Sequence, residues 1–177
     1  MRENKGFSLL ELIVTIAVLA ILGCVLIGTT GVVGKQKLHQ CTVLLDGMMK
    51  KAKTDTMARS DVNGLNIYIR DGKYYAQIYG EVSDGNGNIN YQKREEQELG
   101  SASKIQIFIS NADGGSRVEL TETNNIRIQY ARGTGAITAI KIGNSQGDTE
   151  RTLLTIQRGD KEECIQMIPA TGKHSIQ

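Results

Sequence analysis

The feature that most constrains this chain is an uncharged run: residues 12–33, 22 in succession, contain no Asp, Glu, Lys or Arg. A helix rises 1.5 Å per residue, so a run of that length covers the roughly 30 Å hydrocarbon core of a bilayer. Leu, Ile and Val dominate it, and the reading is a membrane-spanning helix. Glu11 at its edge is the odd member. An ionised carboxylate beside hydrocarbon costs on the order of a few kcal/mol, so it is excluded, drawn to the headgroups or paired with a cation. Its presence here needs a reason.

Beyond that run the composition is ordinary. With 177 residues, 40% hydrophobic and 23% charged, the chain suits one modest domain and excludes disorder, collagen and a multi-domain enzyme. Its 21 Lys and Arg stand against 19 Asp and Glu, so no basic excess draws it to nucleic acid, and no direct nucleic-acid partner is expected. Three cysteines and two histidines (Cys24, Cys41, Cys164, His39 and His174) are too scattered for a zinc site or a thiol-imidazole pair. There is no phosphate loop, no G-x-S-x-G and no paired His, so no catalytic residue, metal site or cofactor is expected.

Four readings compete for the N-terminus. A cleaved secretory signal has an apolar stretch of about 7–15 residues and then a small-residue cleavage site, and this run is longer and lacks one. Ile21-Leu22-Gly23-Cys24 resembles a lipobox with Arg2 and Lys5 before it, although the chain stays apolar beyond Cys24. A permanent helical anchor is the third reading. The fourth accounts for more residues: Lys5-Gly6-Phe7-Ser8-Leu9-Leu10-Glu11-Leu12-Ile13-Val14 resembles the cleavage and methylation motif of type IV pilins and type II secretion pseudopilins.

That resemblance implies a short charged leader cut after Gly6 and N-methylation of the new first residue, Phe7. It also gives Glu11 a task. In the family the corresponding carboxylate neutralises the N-terminal ammonium of a neighbouring subunit, a pairing that low dielectric makes costly to omit. Charge alone leaves orientation open, because Arg2 and Lys5 precede the run and Lys35 and Lys37 follow it. The resemblance implies a cytoplasmic N-terminus, a single pass through the cell (inner) membrane, an extracytoplasmic head, and later incorporation into a pilus or pseudopilus filament. The partners it implies are a prepilin peptidase, other pilins or pseudopilins, an inner-membrane platform protein, an assembly ATPase and the membrane itself.

After Gly34, apolar residues recur at Leu38, Cys41, Leu45, Met48 and Ala52, in steps of three and four. This stripe predicts that the membrane helix continues to about residue 58 as one helix of roughly 50 residues, with Gly47 a weak point. From Gly64 the period becomes two. Leu65, Ile67 and Ile69 alternate, Asp71-Gly72 supplies a hairpin turn, and 75–79 returns. Further strands are expected near 104–110, 117–121, 126–131, 136–142, 153–157 and 164–168. About eight strands suggest two packed antiparallel sheets. The fold class is therefore α+β, a long N-terminal transmembrane and stalk helix before a β-sandwich-like head, which resembles the pilin ladle. The ending Ile165-Gln166-Met167-Ile168-Pro169-Ala170-Thr171-Gly172-Lys173 is most similar to minor pseudopilins of the H kind. The expected divisions are 1–6 leader, 7–34 membrane and filament-core helix, 35–60 amphipathic stalk packed on the head, and 61–177 β-rich head.

Two further patterns carry candidate chemistry. Asp84-Gly85-Asn86-Gly87-Asn88 with Glu95 imitates calcium-loop spacing, but Ile89 stands where such a loop bends at Gly, and a flexible Gly/Asn connection is expected instead. Cys41 and Cys164 would share an oxidising compartment, which leaves open a disulfide between stalk and late strand or two independent thiols. The function expected is that of a prepilin-like structural subunit. The alternative is a lipid- or helix-anchored extracytoplasmic binding protein whose β head is the ligand module.

Overall fold

The computed structural model describes residues 9–83 and 89–177, and the side chains of 9–20, 34–81 and 90–177. The chain divides into two compact units, Met1–Gln36 and Lys37–Gln177. The helix α1 spans Leu9–Ala58, 50 residues, in agreement with the extent read from the apolar stripe. Among the described residues no helix is long and apolar enough to cross a membrane, and the side chains of 21–33, the latter part of the uncharged run, lie outside them.

In the second unit, Leu38, Cys41, Leu45, Met48, Met49 and Ala52 of α1 are all buried. They form the apolar stripe that the steps of three and four require. Gly47 falls on the open side, where it costs helix propensity without opening the core. Two threonines inside the stripe satisfy their hydroxyls within the helix: Thr42 donates to the Leu38 carbonyl at 3.1 Å and Thr56 to the Ala52 carbonyl at 2.8 Å.

Among the described residues ten strands follow: β1 (Gly64–Arg70), β2 (Lys73–Ser83), β3 (Ile89–Ser101), β4 (Gln106–Asn111), β5 (Val118–Glu119), β6 (Ile126–Tyr130), β7 (Ile137–Ile142), β8 (Arg151–Arg158), β9 (Lys161–Ile168) and β10 (Lys173–Ile176). They make two five-stranded antiparallel sheets, ordered β3-β2-β1-β6-β7 and β10-β9-β8-β4-β5. The β1–β2 hairpin turns at Asp71 and Gly72, with φ of 52° and 68°, the positive pair that a two-residue turn uses to match strand twist. On the inner face of the first sheet, period two buries Leu65, Ile67, Ala76, Ile78, Ile126 and Ile128. Ile107, Ile109, Leu154, Ile156, Ile165 and Met167 do the same on the second, and both faces join the helix stripe in one core.

The two sheets and the α+β class agree with expectation, while the strand count does not. β3 and β10 were not expected, and the segment read as 117–121 is a strand only at its centre. The reason lies in composition: of the 13 residues of β3 only Ile89, Tyr91 and Leu99 are large and apolar, and a charged Lys-Arg-Glu-Glu run occupies its middle. β3 is the edge of its sheet, and charge along an edge discourages pairing with another chain.

Candidate functional site

In the N-terminal unit, the described side chains of α1 from Leu9 to Ala20 are all exposed. Leu9, Leu10, Leu12, Ile13, Val14, Ile16, Val18 and Leu19 are all at least half exposed, the least so at 50%. Burying such side chains is worth about 1.5–3 kcal/mol apiece, so together they supply a strong drive toward lipid or other helices. Thr15 is internally satisfied, donating to the Leu12 carbonyl at 2.8 Å. Glu11 lies in the first turn, where a carboxylate favours the helix dipole, and among the described residues no cation pairs with it. Gly6 and Phe7, the expected cleavage and methylation residues, lie outside the described residues. So does the segment 84–88 weighed for calcium; among the described residues no group of three His, Cys, Asp or Glu gathers as a metal site.

The cysteines and histidines of the second unit serve structure. Cys41 and Cys164 are free thiols, so the bridge left open by the sequence is not formed. Strand alternation supplies the reason. Ile165 and Met167 face the core while Cys164, one residue before Ile165, faces the other way, its Sγ 3.6 Å from the Thr155 hydroxyl on the neighbouring strand. Burial, and then the nearby Glu163 charge, push the Cys41 thiol up to about 12, the opposite of what a nucleophile needs. His39 turns its Nδ1 to Glu163 at 3.2 Å, which ties α1 to β9. His174 of β10 is buried with its Nε2 3.4 Å from Asp46 of α1, whose other carboxylate oxygen accepts from Lys50 at 2.6 Å. These pairs dock the helix on the second sheet.

The outer face of the first sheet carries an aromatic and charged ladder that the sequence reading missed, because half of it stands on β3. Tyr68 and Tyr75 stack at 5.8 Å between ring centroids, with the Arg70 guanidinium 4.4 Å from the Tyr75 ring. Glu96 collects Arg70 at 2.9 Å, Lys93 at 2.7 Å and the Tyr68 hydroxyl. Burial followed by that hydrogen bond pushes the Tyr68 hydroxyl up to about 12. Partial burial works to raise the Glu96 pKa, but hydrogen bonds from Lys93, Tyr68 and Arg70 outweigh it and hold the group at about 2. Further along, Tyr79 and Tyr91 meet edge to face at 5.7 Å, and Arg127 donates to the Tyr91 hydroxyl at 3.0 Å. The one signal available in the sequence was the spacing of Tyr75, Tyr79 and Tyr91, which shows no period until β3 is paired with β2.

Residues 1–23 match the family model described as the prokaryotic N-terminal methylation motif. No curated protein and no solved structure matches the chain. The motif is consistent with the type IV pilin and pseudopilin family, and it points to a structural subunit rather than an enzyme.

Proposed function

We propose that the chain is a prepilin-like structural subunit, cut after Gly6 by a prepilin peptidase, N-methylated at Phe7, and assembled into a type IV pilus or type II secretion pseudopilus as a minor member. The observation that carries this reading is the methylation motif over residues 1–23. The exposed apolar helix beside it supports the same reading, since it wants lipid while the subunit waits and other subunits' helices once assembled. Residues 7–34 then form the membrane and filament-core segment, 35–60 the stalk, and 61–177 an extracytoplasmic head. An inner-membrane platform protein and an assembly ATPase are the machinery such insertion needs.

Glu11 supplies the test. Cleavage creates an α-ammonium at Phe7, and in the apolar interior of a filament a carboxylate must meet it, because one partner alone is an uncompensated buried charge. Glu11→Ala is expected to leave the amount in the membrane unchanged and to cut incorporation into filaments by about tenfold or more. Quantitative blotting of membrane and sheared-filament fractions reads both. Unchanged incorporation contradicts the proposal and favours an anchored binding protein, which has no use for a costly carboxylate at the edge of its apolar segment.

A further inference from the structure

On the outer face of the first sheet a pocket of about 170 Å³ opens between β1, β2, β3 and β6. That is well under the roughly 300–1,000 Å³ of drug-sized sites, room for one ring rather than a chain. Tyr79 and Tyr91 form its aromatic side. The primary amides of Asn66, Gln77 and Asn125 and the cations of Arg127 and Lys93, the latter paired with Glu96 at 2.7 Å, complete it, with no carboxylate and no aliphatic side chain among the lining residues.

The bonding left over in this pocket is specific. Arg127 is half-buried, donates to the Tyr91 hydroxyl and, at 2.7 Å, to the Gly143 carbonyl, and has no carboxylate partner among the described residues. Its Nε is buried without a hydrogen bond, and the hydroxyl of Tyr79, a residue only 2% exposed, is buried beside the Gln129 amide. That Gln129 amide also donates to Glu81 at 3.1 Å. Asn125 donates to the Asn66 carbonyl at 2.5 Å, which leaves an amide donor on Asn66 and an amide acceptor on Asn125. A guanidinium lacking its counter-charge asks for an anion, best a planar carboxylate. Amides offering both donors and acceptors suit hydroxyl groups, which are themselves both, and an exposed tyrosine ring suits the C–H face of a sugar.

We propose that this pocket binds one residue of an acidic glycan, a hexuronate whose carboxylate meets Arg127 while its ring hydroxyls meet Asn66, Gln77 and Asn125 beside Tyr91. A protein carboxylate fits less well, because an Asp or Glu side chain would use the guanidinium and leave the three amides idle. The site stands on the head's own geometry and is independent of how the N-terminus is processed.

The test is an NMR titration of the full chain, ¹⁵N-labelled in detergent micelles, with D-glucuronate, D-glucose, acetate and N-acetylglutamate amide in parallel. Glucuronate is expected to shift the side-chain amide signals of Asn66, Gln77 and Asn125 saturably, and each of the other three to bind about tenfold more weakly or worse. Arg127→Gln should remove the preference for glucuronate over glucose, and Tyr91→Ala should weaken both sugars with thermal unfolding unchanged. Absence of saturable shifts with glucuronate overturns the proposal, as does equal binding of acetate. Equal binding of N-acetylglutamate amide also overturns it, and makes this a docking point for a protein carboxylate.

Discussion

Glu96 shows how much one side chain on an exposed sheet face can depend on its neighbours. Its carboxyl titrates near 2 against an ordinary 4.5, because Lys93, Tyr68 and Arg70 all hydrogen-bond the charged form more than partial burial disfavours it. A group whose folded pKa is depressed contributes its full stability above the unfolded value and loses it as pH falls through the folded one. Glu96→Gln is therefore expected to destabilise the chain at neutral pH by about 1 kcal/mol, solvent screening having been allowed for. The gap between variant and parent should close as pH drops from about 4.5 toward 2. Thermal unfolding across that range decides it, and a gap that stays constant contradicts the network. Cys41 and Cys164 make a second residue-level case. With its pKa near 12 and its side chain sealed in the core, Cys41 should resist maleimide on the folded protein at mildly alkaline pH, while the half-buried Cys164 reacts. Peptide mapping of the labelled chain checks this, and equal labelling of the two would show that α1 is not seated as described.

Among the elements, two glycines of the β1–β2 region separate strain in a turn from collision in a sheet. Gly72 has φ +68° in open space, so Gly72→Ala pays only the left-handed conformation, about 1 kcal/mol. Gly80 is different, because an added Cβ would stand 1.8 Å from the Asp61 carbonyl oxygen, a backbone atom that cannot step aside. Gly80→Ala is expected to cost about 2–4 kcal/mol by urea unfolding, clearly more than Gly72→Ala; equal losses contradict the close packing of β2 on the segment after α1. The Asp71-Gly72 turn was legible in the sequence because its chemistry is local. The helix stripe from Leu38 to Ala52 was legible for a similar reason, its period being uninterrupted. β3 was not. Register shifts against β2 at Tyr74/Tyr75 and Ile78/Tyr79 break its alternation, and its inward positions include Glu95, which pairs with Lys51 of α1 instead of entering the apolar core. The pocket beside Tyr91 was hidden with it, since Tyr91 and Lys93 reach Asn66, Gln77 and Arg127 only through that pairing.

For the molecule as a whole, the contrast between its two units is the central fact. The second buries its helix stripe and both sheet faces in one core, whereas the first exposes every described apolar side chain it has from Leu9 to Leu19. Exposed apolar side chains of this kind favour lipid or other helices, and the methylation motif over residues 1–23 is the observation that carries the proposed prepilin reading. The cleavage and methylation proposed here would leave a covalent record. Intact mass and N-terminal sequencing of the protein purified from the membranes of its own host read that record directly. A mature chain beginning at Phe7 and heavier by one methyl group is the result expected; a chain that still carries Met1, or one that begins at a lipidated Cys24, contradicts the prepilin reading.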